Sequence, residues 1–343
     1  MENQAIKVFQ PQVEGTDLLG LIRGYRQSIF LYQAFKTGVF EYLTAKPQNI
    51  EAIAGKMGCH ADRMAVFLNA LIALDLAAKE GDQYRVTPLG YTYLCRSSRF
   101  FLGDLMDLEF SAEQGSTWAM MGPWLKGGAK EENHIPEAVF HASFVRAMAQ
   151  GVLSDNGVAH TVELISRHPC FAEARNVLDL GGGHGLFPIA LQQKKTGLNI
   201  TIFDLPQVEE VNREYAQVFG GKVDFQPGNF YTDELPGDQD IILAFDILHP
   251  VAPAQKEEVF GRVYRALRTA GHLFYKIWFL DESRTKPPRA ALFALKCKVT
   301  TGDSHVYTCR EATEMLERIG FEVEDIQPVG DGYSTMLVAV KHK

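Results

Sequence analysis

The sequence predicts an α/β protein in which a doubly wound, mostly parallel sheet closed by an antiparallel hairpin fills the second half, preceded by a helical unit of winged-helix pattern. Three observations predict this. After Arg175, apolar runs at 177–180, 200–203, 223–225, 241–245 and 273–280 alternate with helical segments, the pattern of parallel strands joined by crossover helices. The first run opens into Gly181-Gly182-Gly183, a turn free of side chains beyond a buried strand. Upstream, three helical patterns are followed by two short strand-like runs around Gly81-Asp82, a hairpin signal.

Taken in order, Phe30, Ala34, Phe35 and Val39 recur at helical spacing across residues 29–43 and predict one helix with Gly38 inside it. Ile50, Ile53, Ala54 and Met57 predict a second, stopped by Gly58, and Met64, Phe67, Leu68 and Leu71 a third over 61–74. The hairpin covers 76–87. Residues 100–125 are mostly helical in character, 126–134 read as a polar surface loop, and Val139, Phe140, Phe144, Val145 and Met148 give an apolar face to a helix over 136–153. The chain closes with strands at 321–329 and 334–340 around Gly330-Asp331-Gly332. The expected domains are therefore a winged-helix-like unit at 1–100, a helical connector at 101–170 and the α/β domain at 171–343.

Bulk properties narrow the function. The 343 residues, 46% hydrophobic and 22% charged, can bury a substantial core, and a net charge of −8 argues against an electrostatic grip on nucleic acid or anionic membrane. Cys59, Cys95, Cys170, Cys297 and Cys309 form no C-x-x-C pair, which argues against a disulfide framework or a thiolate zinc site. With no basic and apolar leader and no apolar run long enough to span a bilayer, a reducing cytoplasm and small or uncharged partners are expected.

Two ligand classes compete for the glycine turn. A dinucleotide fingerprint would need glycine where Leu186 stands, and Asp179 would oppose a pyrophosphate; a sulfonium cofactor carries no phosphate and tolerates the acid. Asp204, 25 residues after Asp179 at the tip of the next strand, can accept hydrogen bonds from both hydroxyls of a ribose. The plainer alternatives are a tight turn without ligand and a helix cap at Asp204.

These motifs, VLDLGGGHG at 177–185, FDLP at 203–206, PGNFY at 227–231 and ILH at 247–249, resemble the two-domain small-molecule O-methyltransferase family of plant caffeate-type and bacterial natural-product enzymes. Val86-Thr87-Pro88-Leu89-Gly90 extends the resemblance into the N-terminal unit, so it covers the chain from about residue 28. It implies a Rossmann-like class I methyltransferase domain, a homodimer built through the N-terminal domain, and metal-independent methyl transfer from S-adenosylmethionine to a small, aromatic, hydroxylated acceptor, leaving S-adenosylhomocysteine. By position it implies that Gly181 and Gly183 contact the methionine part of the cofactor, Asp204 the ribose, and Asn229 and Phe230 the adenine. Asp179, Leu205 and Phe245 complete the cofactor set, Phe144 and Met148 line the acceptor cavity, Tyr307 offers it a hydroxyl, and His249 is the general base.

The sequence departs from the family pattern in places that bear on mechanism. Asn229 replaces an adenine-binding acid, though its amide oxygen still accepts a hydrogen bond, and Pro250-Val251 follow His249 where the family carries an acidic or aromatic pair. Two glutamates that orient the base in relatives align with Ile277 and about Val306. His249 is accordingly either the base or a histidine satisfied within the fold, and the acceptor atom is oxygen, or carbon or nitrogen on the same fold. A cofactor-sensing DNA-binding regulator is a third reading, opposed by a third helix whose charges are only Asp62 and Arg63. Phe245, Tyr275, Trp278, Phe279 and Phe293 either wall an apolar pocket or belong to the core.

Overall fold

The computed structural model describes residues 13, 15–44, 46–127, 137–249, 251–301 and 304–343. Most of the expected loop at 126–134 lies outside the described residues, as do Pro136, Pro250 and Gly302. The chain divides into two compact units, Met1–Gly103 and Asp104–Lys343.

In the first unit, α1 (Thr16–Thr37), α2 (Val39–Thr44), α3 (Ile50–Met57) and α4 (Ala61–Ala73) precede an antiparallel pair, β1 (Ala77–Glu80) and β2 (Gln83–Val86), and α5 (Pro88–Leu94). Local chemistry sets these limits. The Asn49 side chain accepts from the Ala52 N–H at the start of α3, and Thr87 caps α5 by accepting from the Gly90 N–H at 3.1 Å, with Pro88 in the first turn. Gly90 itself is required by close packing, because a Cβ there would fall on the Leu76 carbonyl oxygen and 2.8 Å from Val86 Cγ2. Phe35, Phe40, Leu43, Ile53, Met64, Leu68 and Leu71 make the core.

The expected single helix across 29–43 is corrected in two respects. Gly38 does not lie inside it but ends α1 in the left-handed region (φ 71°), its N–H bonded to the Phe35 carbonyl, as glycine after a last helical turn commonly does. The helix also starts at Thr16, well before residue 29. Leu18, Ile22, Tyr25 and Ile29 recur at i, i+4, i+7 and i+11, a helical stripe present in the sequence that the expectation did not use, and all of them face solvent.

The second unit carries α6 (Gly103–Glu109), α7 (Ala112–Ala119), α8 (Met121–Leu125), α9 (Ala142–Ser154), α10 (Gly157–Arg167) and α11 (Pro169–Glu173) ahead of the sheet. There β3 (Asn176–Leu180), α12 (Leu186–Lys194), β4 (Asn199–Asp204), α13 (Glu209–Phe219), β5 (Asp224–Pro227), β6 (Gln239–Phe245), α14 (Pro253–Ala266) and β7 (Leu267–Ile277) follow. After α15 (Pro288–Thr301) and α16 (Cys309–Ile319), the hairpin β8 (Phe321–Pro328) and β9 (Thr335–Lys341) closes the sheet in the order β5-β4-β3-β6-β7-β9-β8. The first five strands are parallel and β9 pairs antiparallel with both β7 and β8, so the predicted doubly wound class with a terminal hairpin is present.

Every residue of β6 is buried. Alternation sends Ile242 and Ala244 to a core shared with Val259, Phe260 and Leu316, and Ile241, Leu243 and Phe245 to one shared with Ile165, Phe187 and Leu191. β7 differs from the expected 273–280. It begins at Leu267 through the exposed Arg268, Thr269 and Ala270, which no apolar pattern marks, and ends at Ile277. Connections run to opposite sides of β3, so a crevice opens at the carboxyl ends of β3, β4 and β6. Among the described residues no helix is long and apolar enough to cross a membrane.

Candidate active site

The chain leaves β3 directly into the glycine turn. Gly181 and Gly183 have φ of 64° and 52°, a region that costs any side-chain-bearing residue strain. A Cβ at Gly181 would lie 2.8 Å from Ile247 Cγ2 and 3.3 Å from Phe230 Cε1, so the Phe230 ring rests against bare main chain. At Gly183 only Val145 Cγ1 comes near, at 3.7 Å.

Two carboxylates organise this turn. Asp204, at the end of β4, accepts from the Gly183 N–H through Oδ2 and from the Leu205 N–H through Oδ1, each at 2.7 Å. Burial raises its pKa and these two N–H groups oppose the rise, while two of about four lone-pair positions remain open. Asp179 is buried at the end of β3 with no hydrogen-bond partner for Oδ2. Burial, and then the charge of Asp204, push its carboxyl up to about 8. Near neutral pH the Asp179 carboxyl of the ligand-free turn is therefore mostly protonated.

The other residues expected at the cofactor are distributed unequally. Asn229 is engaged in its own turn: Oδ1 accepts from the Tyr231 N–H and Nδ2 donates to Glu137 Oε1, both at 2.9 Å. Its following neighbour Phe230 is the residue brought to Gly181. Phe245 is buried in the core, its ring 5.1 Å from that of Phe187. On α9, Phe144 and Met148 flank the turn of helix that brings Val145 to Gly183; Phe144 packs edge-on to Phe140 at 5.6 Å, and Met148 is 38% exposed. Tyr307 is a buried member of the α14 and α16 core, with the Lys256 ammonium 4.3 Å above its ring.

His249 follows β6 through Asp246 and Leu248, both at positive φ (52° and 64°), a costly backbone for residues other than glycine. Its imidazole is buried, packs edge-on against Phe293 at 4.9 Å, and leaves Nδ1 without a partner. Nε2 lies 3.9 Å from Asp246 Oδ1, and Asp246 Oδ2 accepts from the Lys276 ammonium. Burial alone would raise the Asp246 carboxyl, but Lys276 and His249 outweigh it and hold it at about 2. For His249, burial is the largest influence and lowers its pKa; Asp246 opposes, and Lys256 and Lys276 add to the lowering. The imidazole is thus neutral near pH 7. Ile277 and Val306 are buried in apolar surroundings and bring no carboxylate to it.

Sequence reasoning missed Asp246, Lys276, Lys256 and His184. A lysine inside the apolar run Leu273-Phe274-Tyr275-Lys276-Ile277 was the available signal, since a buried cation needs a partner. Lys256, buried and bonded to the His305 carbonyl, is pushed down to about 8 by desolvation. His184, within the glycine turn, accepts from the Leu186 N–H at 3.1 Å and is pushed by burial down to about 4.

Comparison with known proteins follows the same division of the chain. Residues 133–322 match the O-methyltransferase domain family and residues 19–96 the O-methyltransferase dimerisation domain. The chain is 26% identical over 339 residues to the N,N-dimethyltransferase OxyT of Streptomyces rimosus, covering 96% of this chain and 98% of that protein. It is 27% identical over 315 residues to the tetracenomycin polyketide synthesis 8-O-methyl transferase TcmO of Streptomyces glaucescens, covering 89% and 91%. The structure of human N-acetylserotonin methyltransferase in complex with SAM superposes with a TM-score of 0.78 at 21% identity, over 97% of this chain and 100% of that one.

The protonated state of Asp179 has a measurable consequence. Its folded pKa of about 8 stands above the ordinary 3.8, so folding takes up a proton between these values, and a contribution present in acid is lost as pH rises through the folded pKa. Asp179→Asn needs no proton. The melting temperature of the ligand-free variant, minus that of the wild type, is expected to grow steadily from about pH 4 to about pH 8. A difference that stays constant across this range would mean that Asp179 is not perturbed.

Proposed function

Since the chain belongs to the O-methyltransferase family, as an S-adenosylmethionine-dependent methyltransferase of a small molecule with a dimerisation domain, we propose that it methylates a hydroxyl oxygen of a small aromatic acceptor with His249 as general base. One observation carries this reading: a buried, neutral imidazole with an unpartnered Nδ1 and a carboxylate 3.9 Å from its other nitrogen.

The residues of the turn fit the cofactor. Asp204 keeps lone pairs for two vicinal hydroxyls, Gly183 presents main chain clear of side chains, and the Asp179 carboxyl leaves Oδ2 without a partner beside the turn. Gly181 and Leu205 would hold it by main chain, and Phe230 would face the adenine, with Asn229 shaping the turn that carries that ring. Phe245 would support the pocket from the core side. When bound, S-adenosylmethionine supplies an electrophilic sulfonium methyl group.

His249 prepares the acceptor. Nδ1 takes the hydroxyl proton, and the imidazolium so formed is stabilised by Asp246 across the Nε2 side, which does the work of the absent glutamates at Ile277 and Val306. Lys276 keeps Asp246 ionised and in place. Phe293 and Trp278, with rings 4.9 and 6.4 Å from His249, favour a flat, apolar acceptor, and Phe144 and Met148 on α9 would close its other side. Tyr307, packed in the core under Lys256, is a poorer candidate for substrate contact.

The similarity to OxyT, named for action on nitrogen and matched over nearly the whole chain, supports a second reading with an amine acceptor. The mass and position of the methyl group in the product separate the two.

His249→Ala is expected to lower kcat by about 100-fold or more while cofactor affinity persists. The kcat/KM profile of the wild type should fall on the acid side with a midpoint below the ordinary imidazole value of 6.5. In Asp246→Asn that midpoint should move lower still, because the charge that raises the His249 pKa is gone. Wild-type rates in His249→Ala, or an acid limb unmoved in Asp246→Asn, would exclude the base assignment.

For the N-terminal unit we propose a homodimer through α1, whose Leu18, Leu19, Leu21, Ile22, Tyr25 and Ile29 form an exposed apolar face beside and within the matched dimerisation segment. Sedimentation equilibrium should give twice the chain mass, and Leu21→Glu with Ile22→Glu the chain mass. A monomeric wild type would contradict the proposal.

A further inference from the structure

At the amino-terminal edge of the same sheet, away from the glycine turn, three donor side chains from α11 and β7 converge, with a carboxylate from β8 beside them. His168 caps α11, Cys170 lies in its first turn, His272 lies on β7 beside β6 residue Ile241, and Glu324 lies on β8. One ligand atom each from His168, Cys170 and His272 fall within 4.8 Å of one another. His168 Nδ1 is 3.0 Å from Cys170 Sγ, His272 Nε2 is 3.2 Å from Glu324 Oε2, and His168 Nε2 is 3.8 Å from the same oxygen.

We propose that His168, Cys170 and His272 form a binding site for a zinc-class divalent cation, separate from the methyl-transfer site, with the Glu324 carboxylate beside it. Tetrahedral zinc with ordinary bond lengths sets neighbouring nitrogen and sulfur ligands about 3.3–3.6 Å apart; His168 Nδ1 is 3.0 Å from Cys170 Sγ, and one ligand atom of His272 lies within 4.8 Å of a ligand atom of each. Two imidazoles and one thiolate make a borderline-soft set that suits Zn²⁺ or Co²⁺ and disfavours Mg²⁺ and Ca²⁺. Two features single the cluster out from a chance grouping. His272 Nδ1 is buried without any hydrogen-bond partner, and the strand register slips between Val323 and Asp325, so Glu324 sits on a bulge, a device that re-aims a side chain. The histidine rings are restrained by packing, 5.2 Å from each other and with His168 5.5 Å from Phe274.

Three protein ligands leave the fourth tetrahedral position of a bound ion to water or to a re-aimed Glu324. The ion would tie the segment entering β3 to β7.

Titration of the metal-free protein with Co²⁺ tests the site. The expected result is one ion bound per chain, with the intense visible absorption of tetrahedral cobalt and a near-ultraviolet thiolate-to-cobalt band that added Zn²⁺ abolishes. The band should vanish in Cys170→Ser and survive in Cys309→Ser. His272→Asn should weaken binding by at least about tenfold and remove the Zn²⁺-induced rise in melting temperature, which covers the case in which Cys170→Ser does not fold. Absence of stoichiometric binding, or a thiolate band that persists in a folded Cys170→Ser protein, would overturn the proposal.

Discussion

The carboxylate of Asp204 is the constraint around which the catalytic edge is organised. Its two oxygens take the N–H groups of Gly183 and Leu205, tying the turn after β3 to the turn after β4. Charge-assisted bonds of this kind are among the stronger ones in proteins, and here they form in a buried place. They fix the glycine turn in its left-handed conformation and bring Asp179 close enough to feel the Asp204 charge. The neighbouring strand ends inherit their positions through sheet register, Leu180 opposite both Phe203 and Ala244, and Phe245 opposite Lys276.

From that register follows the second electrostatic feature, the Asp246 and Lys276 pair. Removing two charges from water is costly and their attraction offsets the cost only with good geometry, so such a pair at a strand end calls for a purpose beyond stability. Its place beside His249 supplies one. The family resemblance implies carboxylates reaching the base from the positions of Ile277 and Val306, and those two side chains are apolar and buried. The loop carrying the histidine holds its own acid three residues earlier, at the expense of two non-glycine residues in the left-handed region.

Local signals were legible in the sequence. The alternation of strands and helices, the glycine run, the hairpins and the helix stop at Gly58 depend on neighbours along the chain, and the structure follows them. What could not be read depends on distant partners. Nothing along the chain pairs Asp246 with Lys276, and no spacing rule joins His168 and Cys170 to His272 and Glu324, which only the sheet brings together. The start of α1 was legible in the spacing of Leu18, Ile22, Tyr25 and Ile29 and was overlooked, and Gly38 was misread because a helix and its cap are identical until backbone handedness is known. Asn229 shows the reverse case, a residue expected at the ligand whose side chain is engaged in building its own turn.

The central claim is that the bare turn and Asp204 together make an adenosyl-binding site. Calorimetric titration with S-adenosylhomocysteine of the wild type and of Asp204→Asn addresses it most directly. The account predicts saturable binding of one ligand per chain, weakened at least about tenfold in the variant, since hydrogen bonds to a charged group are worth about 1.5–3 kcal/mol. No saturable heat in the wild type, or equal affinity in a folded Asp204→Asn protein, would contradict it.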